Sequence, residues 1–525
     1  MPYGLPYGFF YCADNAGFLF INAFFSGMLL GNELEPGVNT MTVQDHPHDL
    51  VRPTTFIEDM KGLLGDSPDI VYRSARLGGI DSWFIYVEGL ADPRPLLEAI
   101  HYDPILAEGC ILDAEGVYAR LKQPTLTSGY LSEGQELRQI VHLLLSGFTI
   151  IFIEGLNRTL CIETGDLNKR SVQEPTSEAV VRGPREGFTE SLSDNLALVR
   201  RRIKNPSLRI DAFTLGTATR TDTAIMYLED KVDHEVLAEL RRRLQKMKLE
   251  KVLESNYIEE MIQDHQYSPF PTVCNSERPD TIAANLLEGR IAIFVDGTPF
   301  VLIVPALFMQ FFQSAEDYNQ RGDFGSLVRL LRYFCFAISL LTPSFYIAIT
   351  TFHQEMIPAN LLMSLIGQRE GVPFPAFVEA LVMEVTFEIL REAGIRLPKS
   401  IGQSVSIVGT IVIGQAAVEA GFVSAAMVIV VALTAIANFA LPAFNMAISI
   451  RLLRFGMMAI AATFGLYGMI IALIMLALHL CQLESLGVPY MTSLAPFRLR
   501  FQKDTLVRLT QPMVKRLQQK GGGEQ

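Results

Sequence analysis

The residues best suited to chemistry are carboxylates within a segment that is apolar enough to enter a membrane. Glu384 and Glu388 share one stripe of a predicted helix with Arg391, because steps of three and four residues return to the same helix face. Glu419 is the only charged residue between positions 401 and 450. A charge in lipid costs several kcal/mol unless it meets protein, water or a partner, and carboxylate rings favour cations. We therefore expect Glu384, Glu388, Glu419 and Arg391 to form or gate an ion pathway.

The same helix also admits a purely structural interpretation. Glu388 can pair with Arg391, and Glu392 with Arg396, as salt bridges that only stabilise the helix. The spacing is equally suitable for either role, so both interpretations stay open at this stage.

A second group of charged residues lies further upstream. It consists of four basic residues, Arg200, Arg201, Arg202 and Lys204. A predicted helix ends at this group, with Ser193 or Asp194 as its N-cap. Such a cluster is typical of a solvated helix or of a helix between modules. It also suits a subunit interface or anionic lipid headgroups, and we mark the four residues as a candidate interface.

Other kinds of chemistry find no support in the sequence. The formal net charge of −12 and the isoelectric point of about 5.3 argue against nucleic-acid binding. The 6 cysteines form no C-x-x-C pair and have no histidine at ligand spacing, so we expect neither a disulfide framework nor a metal site. Phosphate-binding loops, nucleophile elbows and zinc-protease motifs are absent. We expect no catalytic residues, no cofactor and no enzymatic activity.

The first half of the chain contains an internal repeat with an α/β pattern. Five residues recur at a constant offset of 141: Tyr86, Glu88, Asp92, Leu96 and Glu98 match Tyr227, Glu229, Asp233, Leu237 and Glu239. A second set of matches has an offset of 142 and includes Gly155 and Gly297. In the second copy, Asp296-Gly297 predicts a tight hairpin turn between apolar strands. We interpret the repeat as a duplicated α/β module.

Apolar runs dominate the chain from about residue 326 to about residue 480. Residues 333–351 are just numerous enough to cross a bilayer. Residues 353–371 are amphipathic and predict a re-entrant or interfacial segment. The other candidate spans are residues 401–418, 423–447 and 455–480, with the acidic helix 377–393 as a further candidate. The count is therefore four or five spans.

These observations predict an α/β soluble region of two duplicated modules followed by an α-helical multi-pass membrane domain with four or five spans. The predicted boundaries are an N-terminal extension at 1–53, module 1 at 54–170, a helical linker at 171–207, module 2 at 208–325, the membrane domain at 326–482 and a basic cytosolic tail at 483–525. We assign no role to the extension. It has no basic region before its apolar run, so we predict no signal peptide and place the large N-terminal region in the cytosol.

Several blocks of the sequence resemble one family. They include EPTSEAVVRGPREGFTESLSDNLALVRRRIKNPSLR in the linker, QREGVPFPAFVEALVMEVTFEILREAGIRLP around Glu384, and SIVGTIVIGQAAVEAG ending at Gly421. These blocks are similar to the A subunits of GerA-type spore germination receptors, in a family that also contains SpoVAF. The resemblance covers about residues 56–510.

The resemblance implies a spore germination protein of the spore inner membrane. It implies three kinds of partner: a permease-like B subunit, a lipoprotein C subunit and further copies of the chain. In that setting the protein oligomerises into a cation channel or transmits the germinant signal. The alternatives are a SpoVAF-type accessory channel associated with dipicolinate release, a secondary transporter and a non-conducting adaptor.

Overall fold

The computed structural model describes residues 51–106, 112–123, 130–165, 174–175, 178, 180–396, 414–492, 494–495, 505 and 508. Most of the predicted extension at 1–53, of the predicted span at 401–418 and of the basic tail lies outside these ranges. Within them, the chain passes from two α/β modules into a group of helices that are rich in apolar residues.

Module 1 is built on a five-stranded antiparallel sheet with helices on both faces. Its strands are β1 (Ile70–Leu77), β2 (Ile80–Val87), β3 (Leu131–Gly134), β4 (Phe148–Ile153) and β5 (Thr159–Glu163), in the spatial order β1-β2-β4-β5-β3. Its helices are α1 (Phe56–Leu64), α2 (Arg94–His101), α3 (Ala114–Leu121) and α4 (Leu137–Leu144). Ile150 of β4 packs with α1 and α4, whereas Ile151 packs with α2 and α3, because successive strand side chains point to opposite faces.

Module 2 repeats this architecture. Its strands are β6 (Leu208–Leu215), β7 (Thr221–Leu228), β8 (Cys274–Ser276), β9 (Ile291–Val295) and β10 (Val301–Val304), in the spatial order β6-β7-β9-β10-β8. Its helices are α5 (Leu192–Arg202), α6 (His234–Lys246), α7 (Ser255–Ile262) and α8 (Pro279–Leu287). The strand order is the same as in module 1, which agrees with the repeat in the sequence.

Two local predictions in this region were wrong. The N-cap of α5 is Ser191 rather than Ser193 or Asp194, since the Ser191 hydroxyl accepts a hydrogen bond from Asp194 N. The predicted hairpin of β9 and β10 is confirmed, and Gly297 has a φ of 90°, but the two strands are joined by a loop at 296–300 instead of a tight turn. The start of α5 holds this loop, because Leu192 N donates to Asp296 Oδ1 at 3.1 Å. The N-terminus of α5 therefore supports the loop between β9 and β10.

A buried ion pair at the end of α5 joins the two modules. The Arg200 guanidinium is 0 % exposed and donates to both carboxylate oxygens of Asp69, at 2.8 and 3.0 Å. It also donates to Ser67 Oγ at 3.0 Å and to Leu208 O at 2.9 Å. Ser67 and Asp69 lie just before β1 of module 1, so this contact joins one module to the other. For Arg200 the predicted subunit interface was wrong, because the side chain is enclosed within its own chain.

The rest of the basic cluster also makes contacts within the chain. Arg201 and Arg202 pair with Glu186 at 2.8 and 2.7 Å, and Lys204 Nζ donates to Ser146 Oγ at 3.0 Å. Ser146 belongs to module 1, so Lys204 adds a second contact between modules. The basic cluster therefore lies where the two modules meet, as the interpretation of a helix between modules suggested.

The apolar half contains seven helices in the described ranges. They are α9 (Glu316–Asn319), α10 (Gly322–Phe352), α11 (Ala359–Arg369), α12 (Ala376–Arg396), α13 (Gly414–Glu419), α14 (Ala425–Phe439) and α15 (Phe444–Gln482). Two of them, α10 and α15, are long and apolar enough to cross a membrane. At 31 and 39 residues each is longer than the roughly 20 residues that a bilayer core requires. The further spans that we predicted are not confirmed.

The predicted span at 423–447 is interrupted. α14 ends at Phe439, and α15 begins only at Phe444. Pro442 lies in the break; it has no N–H to donate and disfavours helical geometry in the residue before it. One continuous apolar run in the sequence therefore forms parts of two helices.

Buried ion pairs also hold the start of α10. Arg329 and Arg332 lie 3.3 and 2.8 Å from the carboxylate of Asp317, and all three side chains are buried. Arg332 also donates to Phe312 O at 3.0 Å. These two arginines join α10 to the segment that follows module 2.

Replacing Arg200 with methionine should destabilise module 1, because Asp69 would stay buried without its partner. The expected loss is about 3 kcal/mol in the free energy of unfolding. Trp83, the only tryptophan of the chain, lies in β2, so its fluorescence during urea unfolding measures the change. Arg201→Met is the matched control: its side chain is 53 % exposed, and the loss should stay below about 1 kcal/mol. Equal losses in the two variants would contradict the role of Arg200.

Glu259 should make module 2 less stable as pH rises. Its side chain on α7 is buried, and burial raises the pKa of its carboxyl from 4.5 to about 7. The folded chain therefore holds this proton more tightly than the unfolded chain, and stability is lost as pH rises from about 4.5 through about 7. Glu259→Gln should remove this dependence and stabilise module 2 at pH 8 by on the order of 2 kcal/mol. Hydrogen exchange of the β9 and β10 amides measures it, with the exposed Glu235→Gln as the control.

Candidate functional site

The acidic helix α12 buries charged and small side chains and exposes apolar ones. Its buried residues are Ala376, Glu379, Ala380 and Glu384. Its exposed apolar residues are Val382, Val385, Ile389 and Ile395. A helix in water has the opposite distribution, whereas a helix in lipid places its polar residues towards the protein. The distribution favours an apolar environment around α12.

Two arginines of α15 neutralise the acids of α12. Arg454 Nη2 lies 2.7 Å from Glu384 Oε2, and both side chains are only 1 % exposed. Arg451 Nη1 donates to Glu388 Oε2 at 2.5 Å, and Arg454 lies 3.8 Å from the other oxygen of Glu388. We call these four residues, Glu384, Glu388, Arg451 and Arg454, the charge cluster. Its members come from positions more than sixty residues apart in the chain, so the cluster fixes α12 against α15.

Arg391 lies beside the charge cluster but pairs differently from our prediction. Its guanidinium carbon is 5.5 Å from the ring centroid of Phe439 and 5.8 Å from that of Phe444. These distances permit cation–π attraction. The Glu388–Arg391 salt bridge that the structural interpretation allowed does not form, because Glu388 pairs with Arg451 instead. Phe439 ends α14 and Phe444 begins α15, so Arg391 packs at the break between these helices.

Glu392 and Glu419 lie apart from the charge cluster. Glu392 pairs with Arg396 at 2.6 Å on the exposed side of α12, as the structural interpretation proposed. Glu419 is exposed on α13 and accepts a hydrogen bond from Gln415 Nε2 at 2.8 Å. In the part of the chain that the structure describes, neither Arg451 nor Arg454 forms a salt bridge with Glu419, so Glu419 does not belong to the charge cluster. The structure thus brings together two of the three predicted acids.

Glu379 is a buried acid to which we had assigned no specific role. It is 0 % exposed, and its Oε2 accepts a hydrogen bond from Ser424 N at 3.0 Å. Ser424 is the N-cap of α14, so the carboxylate lies at the positive end of that helix dipole. Arg369 of α11 lies 3.3 Å from the other oxygen. Glu379 therefore joins three helices, α11, α12 and α14.

Sequence reasoning missed the arginines of the charge cluster, although a signal was present. Arg451 and Arg454 are three residues apart and share one helix face, as do Glu384 and Glu388 at four residues. Two such pairs on separate helices can meet face to face.

α15 bends at Gly465, between the charge cluster and the C-terminal end of the helix. Gly465 has φ 60° and ψ −147°, a conformation adopted almost only by glycine. A Cβ atom there would lie 2.9 Å from His353 Cε1 and 3.1 Å from Phe352 Cβ, at the end of α10. The bend separates the part of α15 with the arginines from the part that ends at Gln482.

The described residues contain no group of three or more histidine, cysteine, aspartate or glutamate side chains that could hold a metal ion. The buried acids of the apolar half are instead balanced by arginines and by a helix N-terminus. Such an arrangement can hold helices in one register and can expose carboxylates when the register changes.

Comparison with known proteins places the chain in a family. The family described as Bacillus/Clostridium GerA spore germination protein matches residues 58–519. The chain belongs to the GerA family. It is 49 % identical over 456 residues to spore germination protein KA of Bacillus subtilis, covering 86 % of this chain and 84 % of that protein. Spore germination protein A1 of Bacillus subtilis is 39 % identical over 451 residues, covering 85 % of this chain and 91 % of that protein.

A solved structure is also similar to this GerA family member. It is the crystal structure of the N-terminal domain of the A subunit of the Bacillus megaterium spore germinant receptor GerK3. The identity is 34 %, with 50 % of this chain and 98 % of that chain covered, and the TM-score is 0.40.

Gly465→Ala should destabilise the helices of this GerA family member. The backbone conformation at residue 465 is strained for any residue with a Cβ, at a cost of about 1 to 3 kcal/mol. Thermal unfolding of the full chain in detergent measures the effect. Gly456→Ala in the same helix is the matched control, since a Cβ there has no heavy atom within 4 Å. Gly456→Ala should be neutral or stabilising, and a neutral result for Gly465→Ala would contradict the assigned bend.

Proposed function

We propose that the chain is the A-type subunit of a germinant receptor complex in the spore inner membrane, with its two modules in the cytosol. Its partners are a permease-like B subunit, a lipoprotein C subunit and further copies of the chain. It acts without catalysis and without a cofactor. Supporting this are its identities to spore germination proteins KA and A1 and its two helices long enough to cross a membrane.

The observation that carries the proposed mechanism is the charge cluster between α12 and α15. A buried carboxylate and a buried guanidinium each lose several kcal/mol of hydration, and their mutual attraction offsets this loss only at close contact. Glu384 and Arg454 are in such contact at 2.7 Å. The ion pairs therefore stabilise one register of α12 relative to α15, and most of this stabilisation is lost at intermediate registers.

In the proposed mechanism this register is the resting state. While Arg454 and Arg451 neutralise Glu384 and Glu388, the acids do not attract cations. When α12 shifts relative to α15, the carboxylates lose their arginines and turn to water or to ions, where a group of acids favours cations. The shift either opens a cation pathway or transmits the germinant signal to one. Arg391 moves with α12 past the rings of Phe439 and Phe444, which guide the shift.

Glu384→Gln in the chromosomal copy of the gene should strongly reduce germination. The substitution removes the closest counter-charge of the buried Arg454 and leaves only Glu388, at 3.8 Å, which disturbs the resting register. We expect germinant-triggered potassium release from spores to fall by about tenfold or more. Glu392→Gln on the same helix is the matched control: Glu392 lies on the exposed side, so release should stay close to that of the wild type.

A double variant separates a structural role from a role in the ion pathway. Glu384→Gln with Arg454→Gln removes both charges, so no buried charge is left unpaired and the protein should accumulate to wild-type levels in spore membranes. Potassium release should stay low, because the carboxylate is still missing. If the double variant releases potassium at the wild-type rate, Glu384 is only structural and the proposed mechanism is wrong.

A further inference from the structure

The segment after α15 turns back and packs into module 2. It forms a short hairpin from β11 (Glu484–Ser485) and β12 (Val488–Pro489). At its tip, Leu486 is buried in the hydrophobic core of module 2. Leu486 N donates to Asp264 Oδ2 at 2.6 Å. The hairpin therefore holds module 2 at the C-terminal end of α15.

Further hydrogen bonds strengthen this contact. Ser485 Oγ donates to Thr272 O at 2.7 Å and accepts from Ala306 N at 3.0 Å. Tyr490 Oη donates to Pro271 O at 2.8 Å. Apart from Ala306, which follows β10, these partners of the hairpin lie at the two ends of one loop, which follows α7 and leads to β8. We call residues 264–272 the docking loop.

The docking loop also contacts the last turn of α15 directly. Ser268 Oγ and His479 Nε2 are hydrogen-bond partners at 3.0 Å. The ring of Phe270 lies 6.3 Å from the ring of His479, between centroids. The loop is thus fixed beside the end of a helix that is long and apolar enough to cross a membrane.

One side chain of the docking loop is fully exposed. Tyr267 is 100 % exposed, although the adjacent Ser268 is bonded to α15. Met475 and Leu478, in the last turns of α15, are 66 and 60 % exposed. Met261, at the end of α7, is 44 % exposed. Exposed side chains that are apolar or aromatic therefore occur both in the last turns of α15 and on module 2 in and near the docking loop.

We propose that the docking loop lies in the headgroup layer of the bilayer and that Tyr267 inserts into the interface between headgroups and acyl chains. Tyrosine suits this position because its ring is apolar and its hydroxyl is polar, and tyrosine is enriched at membrane interfaces. The occupant beside the loop is lipid, since the loop is bonded to the last turn of α15, where the exposed side chains Met475 and Leu478 are apolar. The proposal rests on α15 crossing the bilayer, as the proposed function requires.

Tryptophan fluorescence in vesicles tests the position of the loop. The full chain is reconstituted in vesicles of phosphatidylcholine and phosphatidylglycerol, with Trp83 replaced by phenylalanine so that a new tryptophan is the only one. Tyr267→Trp should be quenched roughly two-fold by lipids brominated near the headgroup end of the acyl chain. Aqueous iodide should quench it only weakly.

Two matched variants in the same background serve as controls, one for a residue in water and one for a residue in lipid. Tyr102→Trp replaces a tyrosine of module 1 that is 81 % exposed, and it should respond to iodide but not to brominated lipid. Leu478→Trp reports the outward face of α15 and should respond to brominated lipid. If Leu478→Trp responds to the lipid and Tyr267→Trp does not, the loop stands away from the bilayer and the proposal is wrong. If neither responds, α15 itself does not lie in lipid, which overturns the membrane placement as well.

Discussion

A carboxylate in an apolar environment has to be neutralised within the protein, and this constraint determines how the helices of the apolar half are arranged. Most of the exposed residues of α12 are apolar, so hydrophobic packing alone does not specify which face it turns to the other helices. Its acids specify that face. Glu384 and Glu388 meet the arginines of α15, and Glu379 meets the N-terminus of α14. A helix held in this way has one favourable rotation and one favourable height.

Buried ion pairs also occur where the parts of the chain join. Arg200 of module 2 pairs with Asp69 of module 1, and Asp317 pairs with Arg329 and Arg332 where the soluble region meets α10. A buried ion pair adds little net stability over an apolar contact of the same volume, but it tolerates almost no misplacement. These junctions are therefore specific rather than strong. Movement at such a junction exchanges one set of partners for another, because half-formed pairs are costly.

The sequence allowed the repeat, the α/β character and the chemically important acids to be predicted, because each depends on short-range patterns. Tyr86 and Tyr227 mark equivalent strands, and Glu384 and Glu388 mark one helix face. The partners of the acids were not predicted, since Arg451 and Arg454 lie far along the chain and pair through the tertiary fold. The break at 440–443 was missed for a related reason. Hydropathy stays high across Pro442, so a scan for apolar runs does not register the end of α14.

The bend at Gly465 determines how the junctions can influence one another. α15 carries the arginines of the charge cluster before the bend, and after it runs to His479 and to the hairpin that enters module 2. A straight helix would transmit any tilt of module 2 directly to Arg451 and Arg454. A glycine bend packed against Phe352 and His353 ties that motion to the end of α10 as well. The register of the charge cluster thus depends on both long helices, and module 2 contacts both: α10 through the segment that contains Asp317, and α15 through the hairpin.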